Sequence, residues 1–303
     1  MTTPVRDSGR LIVLNKDEHT VSFIQVGSGE TLKKLDMDKD PHEVIVTADG
    51  ATSYVVNAVG GTIAVIDNAS MSVREKITHD EFAFPHGVDL DNDGNLWLAS
   101  TVANKLFVFS GDDHECLAVI PTGQRFSHMI AFTPDKKKMY VPNIMSNTLT
   151  LVDVDKREVV RHFLVGKGPE GVAVHPSGEF IYVAAQNEDI VQVFSTATHE
   201  MIAREPVGSL PVRMAFTPDG RYAFVPNRYS KDVSVIDCAQ HHEIKRVPIG
   251  IWPGGVVFDP TGAYAFVANN KTNDVSVIEV ASLNEVARYD AGIHPDGIAY
   301  IPA

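Results

Sequence analysis

Apolar and polar residues alternate with period two along much of this chain. Asp232-Val233-Ser234-Val235-Ile236-Asp237 and Asp274-Val275-Ser276-Val277-Ile278 are clear stretches. Alternation of that kind puts successive side chains on opposite faces of a β-strand. Between the stretches lie TPDG, DPTG and HPSG, where proline fixes one φ and glycine supplies the positive φ of a tight turn. No stripe of helical period is long enough for a useful helix. The pattern predicts short strands joined by tight turns.

The pattern also repeats. Each unit runs from a proline through an apolar run, a Pro/Asp/Gly turn and a Tyr or Phe to an alternating strand. The residue after the first proline (Ser127 stands in for it once) falls at positions 42, 86, 128, 170, 212, 254 and 296, one interval of 44 and then five of 42. Four strands every ~40 residues is the period of a propeller blade. The expectation is an all-β, seven-bladed β-propeller with four-stranded antiparallel blades, forming one domain over residues 1–303. Residues 296–301 supply only an innermost strand, whereas residues 10–35 begin at the second, with Asn15 in register with Asn57. The ring is therefore expected to close by joining the N-terminal strands to the C-terminal strand.

Composition narrows the partners. A net charge of −13 argues against nucleic acid and anionic membrane. Two cysteines, Cys116 and Cys238, make no disulfide framework; both are expected in outer strands. The opening MTTPVRDSGRLIVLNKDEHT lacks the apolar core of a secretory signal, and no run approaches the ~20 apolar residues of a membrane span. A cytoplasmic location is expected.

Tyr54-Val55-Val56-Asn57, Tyr140-Val141-Pro142-Asn143, Phe224-Val225-Pro226-Asn227 and Phe266-Val267-Ala268-Asn269 resemble the repeat of the YVTN β-propellers, and the likeness covers the whole chain. The segments at 97–100 and 182–185 lack the asparagine. Pro142 and Pro226 must lie near a strand end, since proline cannot donate to a ladder. The resemblance implies a propeller and a functionally mixed family that includes lactonase-like enzymes and binding or surface-layer proteins.

In a propeller the innermost strands line a central channel, so equivalent positions form a ring. After the proline that ring reads His42, His86, His128, Glu170, Val212, Gly254 and Asp296, with Asp296 beside His42 on closure. Three imidazoles with a carboxylate suit Zn, Fe, Mn or Cu better than the hard cations Ca²⁺ and Mg²⁺. His42, His86, His128 and Glu170 are the expected ligands of a divalent transition metal. Whichever of Glu170 and Asp296 is not a ligand would be the base, with His294 as a possible acid. Arg213, Arg228, Tyr229 and Trp252 cluster by the valine–glycine sector and are expected to bind substrate. The rim residues Asp40, Phe84, Phe126, Gly168, Leu210, Trp252 and His294 are mostly apolar. These features suit a metal-dependent hydrolase or lyase, lactonase-like, acting on a small organic anion at the channel mouth. A non-haem metal oxygenase at the same histidines and a non-catalytic binding scaffold are the alternatives.

Overall fold

The computed structural model describes residues 8–303; the first seven residues lie outside that range. The described residues form seven four-stranded antiparallel sheets, one per repeat, and no helix. The ring closes as expected. Pro295–Ile301 is the inner strand of a sheet whose other strands are Arg10–Asn15, Thr20–Gln25 and Thr31–Asp36. Leu11 faces Tyr300, Val13 faces Ile298, and a bulge brings Asn15 opposite Pro295. Joining the chain ends in one sheet removes the open edge that would otherwise template pairing with another chain.

Packing holds the blades together. Among the described residues the buried apolar side chains form seven clusters, each shared by two adjacent blades. In one of them Trp97, Ala99 and Leu106 meet Met139, Val141 and Val152. Alternation explains this: both faces of each middle strand point into a neighbouring blade.

The repeat asparagines carry a structural duty. Asn143 Nδ2 donates to Thr148 Oγ1 (3.0 Å) and Thr150 Oγ1 (2.8 Å). Asn269 Nδ2 donates to Asp274 Oδ1 (2.7 Å) and Ser276 Oγ (2.8 Å). Each amide locks the second strand to the third just where the chain turns over the top face. The residue that follows the asparagine is thereby held at the channel mouth.

Pro142 and Pro226 are the penultimate residues of Lys138–Asn143 and Tyr222–Asn227. They shorten the strands facing them. His128 and Val212 donate to their carbonyls at 3.0 and 3.2 Å, but a proline has no N–H to return the bond. The inner strands there shrink to Ala131–Phe132 and Ala215–Phe216. One expectation fails: Cys116 begins an outer strand, but Cys238 follows the third strand Asp232–Asp237 and is buried in the turn beyond it. There the apolar side chains of the blade interface close over its thiol, and burial raises its pKa to about 11.

Candidate active site

The chain enters each inner strand through a kink. Asp40, Phe84, Phe126, Gly168, Leu210, Trp252 and His294 all have φ between 56° and 62°. In non-glycine residues this left-handed backbone costs energy and persists only where its surroundings enforce it. Enforcement comes from seven equivalent hydrogen bonds. The carbonyl of each rim residue accepts the N–H of the residue after the repeat asparagine or its substitute, as in Ala58 N–H to Asp40 O (2.8 Å) and Arg228 N–H to Leu210 O (2.9 Å). Rim, ring and second-strand loop are thus one rigid collar.

On this collar the histidines touch one another. The rings of His42 and His86 are 4.4 Å apart, and those of His86 and His128 stack at 3.7 Å. Gly87 makes that approach possible. Its N–H donates to the His128 carbonyl, and a Cβ there would lie 2.6 Å from the same oxygen.

The three imidazoles differ in their partners. Lys16 Nζ donates to His42 Nε2 (3.2 Å), which leaves the His42 Nδ1 proton facing Asp40 Oδ2 (3.4 Å). His128 Nδ1 is 3.0 Å from Thr101 Oγ1, and its Nε2 is 3.7 Å from Glu170 Oε1. His86 is fully buried, and neither of its ring nitrogens has a hydrogen-bond partner. The nearest carboxylate, Glu43, is 3.9 Å from Nε2, too far for a hydrogen bond. Glu170 Oε2 is also buried and unpartnered. Burial, with His128 and His42 beside it, holds His86 well below its ordinary value, and burial lowers His42 too. Both are neutral at pH 7.

The opposite sector is built from ions. Asp296 is buried and receives Arg213 Nη1 at 3.0 Å, Lys16 Nζ at 3.2 Å and Arg228 Nη2 at 3.9 Å. Burial alone would push its carboxyl up, but Arg213 and the other cations hold it well below the usual carboxylate range. Gly254 leaves it the space, since a Cβ at that position would lie 2.6 Å from Asp296 Oδ1. Arg213 also bridges to Glu43 on the far side of the channel. That bridge roofs a small cavity of about 130 Å³ lined by Glu43, Met129, Arg213 and Met214. The Arg213–Glu43 bridge therefore spans the channel one residue beyond the ring.

Arg228, Tyr229 and Trp252 come together as the sequence suggests. The Arg228 guanidinium sits 5.9 Å from the Trp252 ring, which is 6.1 Å from that of Tyr229. Arg228 keeps spare donors, and its Nε has no partner. Arg213 belongs instead to the ion network under the ring. His294 is not brought to the ring: its Nδ1 is 3.0 Å from Asp17 Oδ2.

Sequence reasoning underused the position after the repeat asparagine, although its signal was available. It reads Lys16, Ala58, Thr101, Ile144, Gln186, Arg228 and Asn270, and four of these bear on the ring. Lys16 binds His42 and Asp296, Thr101 binds His128, Arg228 approaches Asp296, and Asn270 donates to the Pro295 carbonyl beside it. Glu43 was missed because it lies one residue beyond the ring position.

As folded, no three His, Cys, Asp or Glu among the described residues bring their ligand atoms to one point. The donor types, rather than their placement, are those a metal takes. Three imidazoles in contact, two of them held neutral, one without partners, and a nearby carboxylate with an unpartnered oxygen are groups that a cation would satisfy.

The family of lactonases with a seven-bladed β-propeller matches residues 128–288, just over half of the chain. This chain belongs to that family. The match takes in His128, Glu170, Arg213, Arg228, Tyr229 and Trp252 of this lactonase-family propeller, whereas His42, His86 and Asp296 lie outside it. Antigen Lp49 of Leptospira interrogans is 24% identical over 143 residues, 44% of this chain, which spans 30% of the antigen's length. Among solved structures, the hydrazine synthase of Kuenenia stuttgartiensis superposes with a TM-score of 0.80 at 22% identity, over 88% of this chain and 91% of that one. A putative 6-phosphogluconolactonase from Bacteroides fragilis superposes with a TM-score of 0.80 at 18% identity, over 99% and 100%. Such likenesses establish the propeller fold. No helix among the described residues is long and apolar enough to cross a membrane.

Proposed function

We propose that this chain is a YVTN-type, lactonase-like hydrolase or lyase. Its substrate is a small organic anion bound at the channel mouth, beside a divalent transition metal held by His42, His86, His128 and Glu170. The observation that carries the reading is His86: a fully buried imidazole with neither nitrogen satisfied. An unmade buried hydrogen bond costs about 1–3 kcal/mol, a cost that ligand binding at His86 would relieve. Charge agrees. Lys16, Arg213 and Arg228 face Asp40, Glu43, Glu170 and Asp296, so the carboxylates outnumber these cations by one. A dication would offset the carboxylate charge and leave the free donors of Arg228 to receive an organic anion.

When bound, the metal would polarise a carbonyl or acidify water. The chain's own groups do the rest. Arg228 holds the anion, and Trp252 and Tyr229 cover its apolar body. The Arg213–Glu43 bridge spans the channel one residue beyond the ring. Asp296, held by Arg213 and Arg228, stays ionised and fixes Arg213. Glu170 completes the metal's ligand set through its unpartnered oxygen. A panel of lactones and small esters, assayed on protein stripped of metal and reloaded separately with Zn, Mn and Fe, tests this reading. Turnover that returns only with metal supports it; turnover indifferent to metal, or none on any substrate, counts against it. Turnover of O₂ by the Fe-loaded protein would favour the oxygenase alternative.

A further inference from the structure

We infer that the Lys16 ammonium occupies a built-in cation seat at the edge of the histidine arc and competes with the metal for His42. The inference rests on the metal reading above. Lys16 Nζ has three acceptors around it: His42 Nε2 at 3.2 Å, Asp296 Oδ2 at 3.2 Å and Asp40 Oδ1 at 3.7 Å. One imidazole nitrogen and two carboxylate oxygens from two chain segments, Asp40–His42 and the strand bearing Asp296, are the surroundings of a bound cation, and here the chain supplies the cation itself. The seat is built rather than accidental. Lys16 follows Asn15, whose amide donates to Thr20 and Ser22, and its own N–H donates to the His294 carbonyl at 3.0 Å. Its side chain is only 17% exposed.

The chemical consequence is direct. A nitrogen lone pair that accepts from an ammonium cannot also bind a metal. For His42 to become a ligand, Lys16 must leave, and the incoming dication takes over its electrostatic task beside Asp296 and Asp40. Metal loading is therefore an exchange of cations. Its affinity is set partly by the lysine, and it releases a lysine amine to solvent.

The test compares Zn²⁺ affinity of the full-length wild type, Lys16→Met and Lys34→Met by competition with a chelating dye. Lys16→Met keeps the stem and removes the charge. Lys34→Met removes the same charge from an exposed pair with Glu18 in the same blade. Lys16→Met should bind Zn²⁺ about tenfold tighter, a difference of roughly 1.4 kcal/mol, and Lys34→Met should match wild type. Wild-type binding with no gain in Lys16→Met overturns the competition and leaves the metal reading standing. Zn²⁺ binding by neither overturns both. A second measurement needs no variant: amine-reactive footprinting of wild type should show Lys16 labelling rise severalfold on Zn²⁺ addition. Unchanged labelling of protein that has bound Zn²⁺ contradicts the exchange.

Discussion

The two halves of the channel mouth occupy equivalent repeat positions and have opposite characters. Along the arc from His86 through His128 to Glu170, side chains touch each other yet leave polar atoms unsatisfied. Across the channel, Asp296 is ringed by Lys16, Arg213 and Arg228. The second arrangement is complete without a ligand; the first is not. Sevenfold geometry fixes where a side chain stands, and its partners decide whether it serves the scaffold or waits for something to bind.

Breaking the saturated side should cost the most. Asp296→Ala leaves Arg213 buried beside Glu43 with one counter-charge gone. Removing one partner of a buried ion pair destabilises by about 3–5 kcal/mol, and urea unfolding of the variant should show a loss of that size. A loss below about 1 kcal/mol, the level of an exposed pair, would mean that the sector is not the scaffold argued for.

Arg228 marks the boundary between the halves, held at 3.9 Å from Asp296 and partly open to solvent. Its contact with substrate should be made equally in the ground and transition states. Arg228→Ala should therefore raise KM about tenfold while kcat changes by less than about twofold. Unchanged kinetics would remove it from the binding site.

A gentler probe is pH. His86 and His42 are lowered in the fold from an ordinary value of 6.5, so the unfolded chain takes up protons first as pH falls below 6.5. The arc's stability contribution is whole above that value and drains away below it, towards the folded values. Asp296 is held below its ordinary 3.8, so its contribution is whole above 3.8 and is lost only as pH falls further. The two regions titrate in separate windows. His86→Ala should flatten the stability slope between pH 6.5 and 3.8 and leave the more acidic limb in place; an unchanged slope would contradict a neutral, buried His86.

Much of this was legible in the sequence because repetition amplifies weak signals. One alternating stretch such as Asp232–Asp237 could be any strand, but seven at fixed spacing define blades, and the partial units at the ends define closure. The ring at positions 42, 86, 128, 170, 212, 254 and 296 followed from the same periodicity. What periodicity cannot report is which charged groups meet across the channel. Arg213 reads as a cation at the mouth, yet it bridges to Glu43, 170 residues earlier in the chain. Lys16 meets Asp296 only because the ends close into one blade. The stacking of His86 on His128 depends on backbones passing at Gly87, a distance that composition does not encode.

The central claim is that the imidazole arc is a metal site, and metal content tests it most directly. Wild-type protein produced with Zn, Fe and Mn available should carry about one equivalent per chain, for a three-imidazole set with an added carboxylate. His86→Ala should lose that metal and the activity together while its circular dichroism stays unchanged. Wild type without stoichiometric metal, alongside a fully active His86→Ala, would show that the histidines only pack against one another.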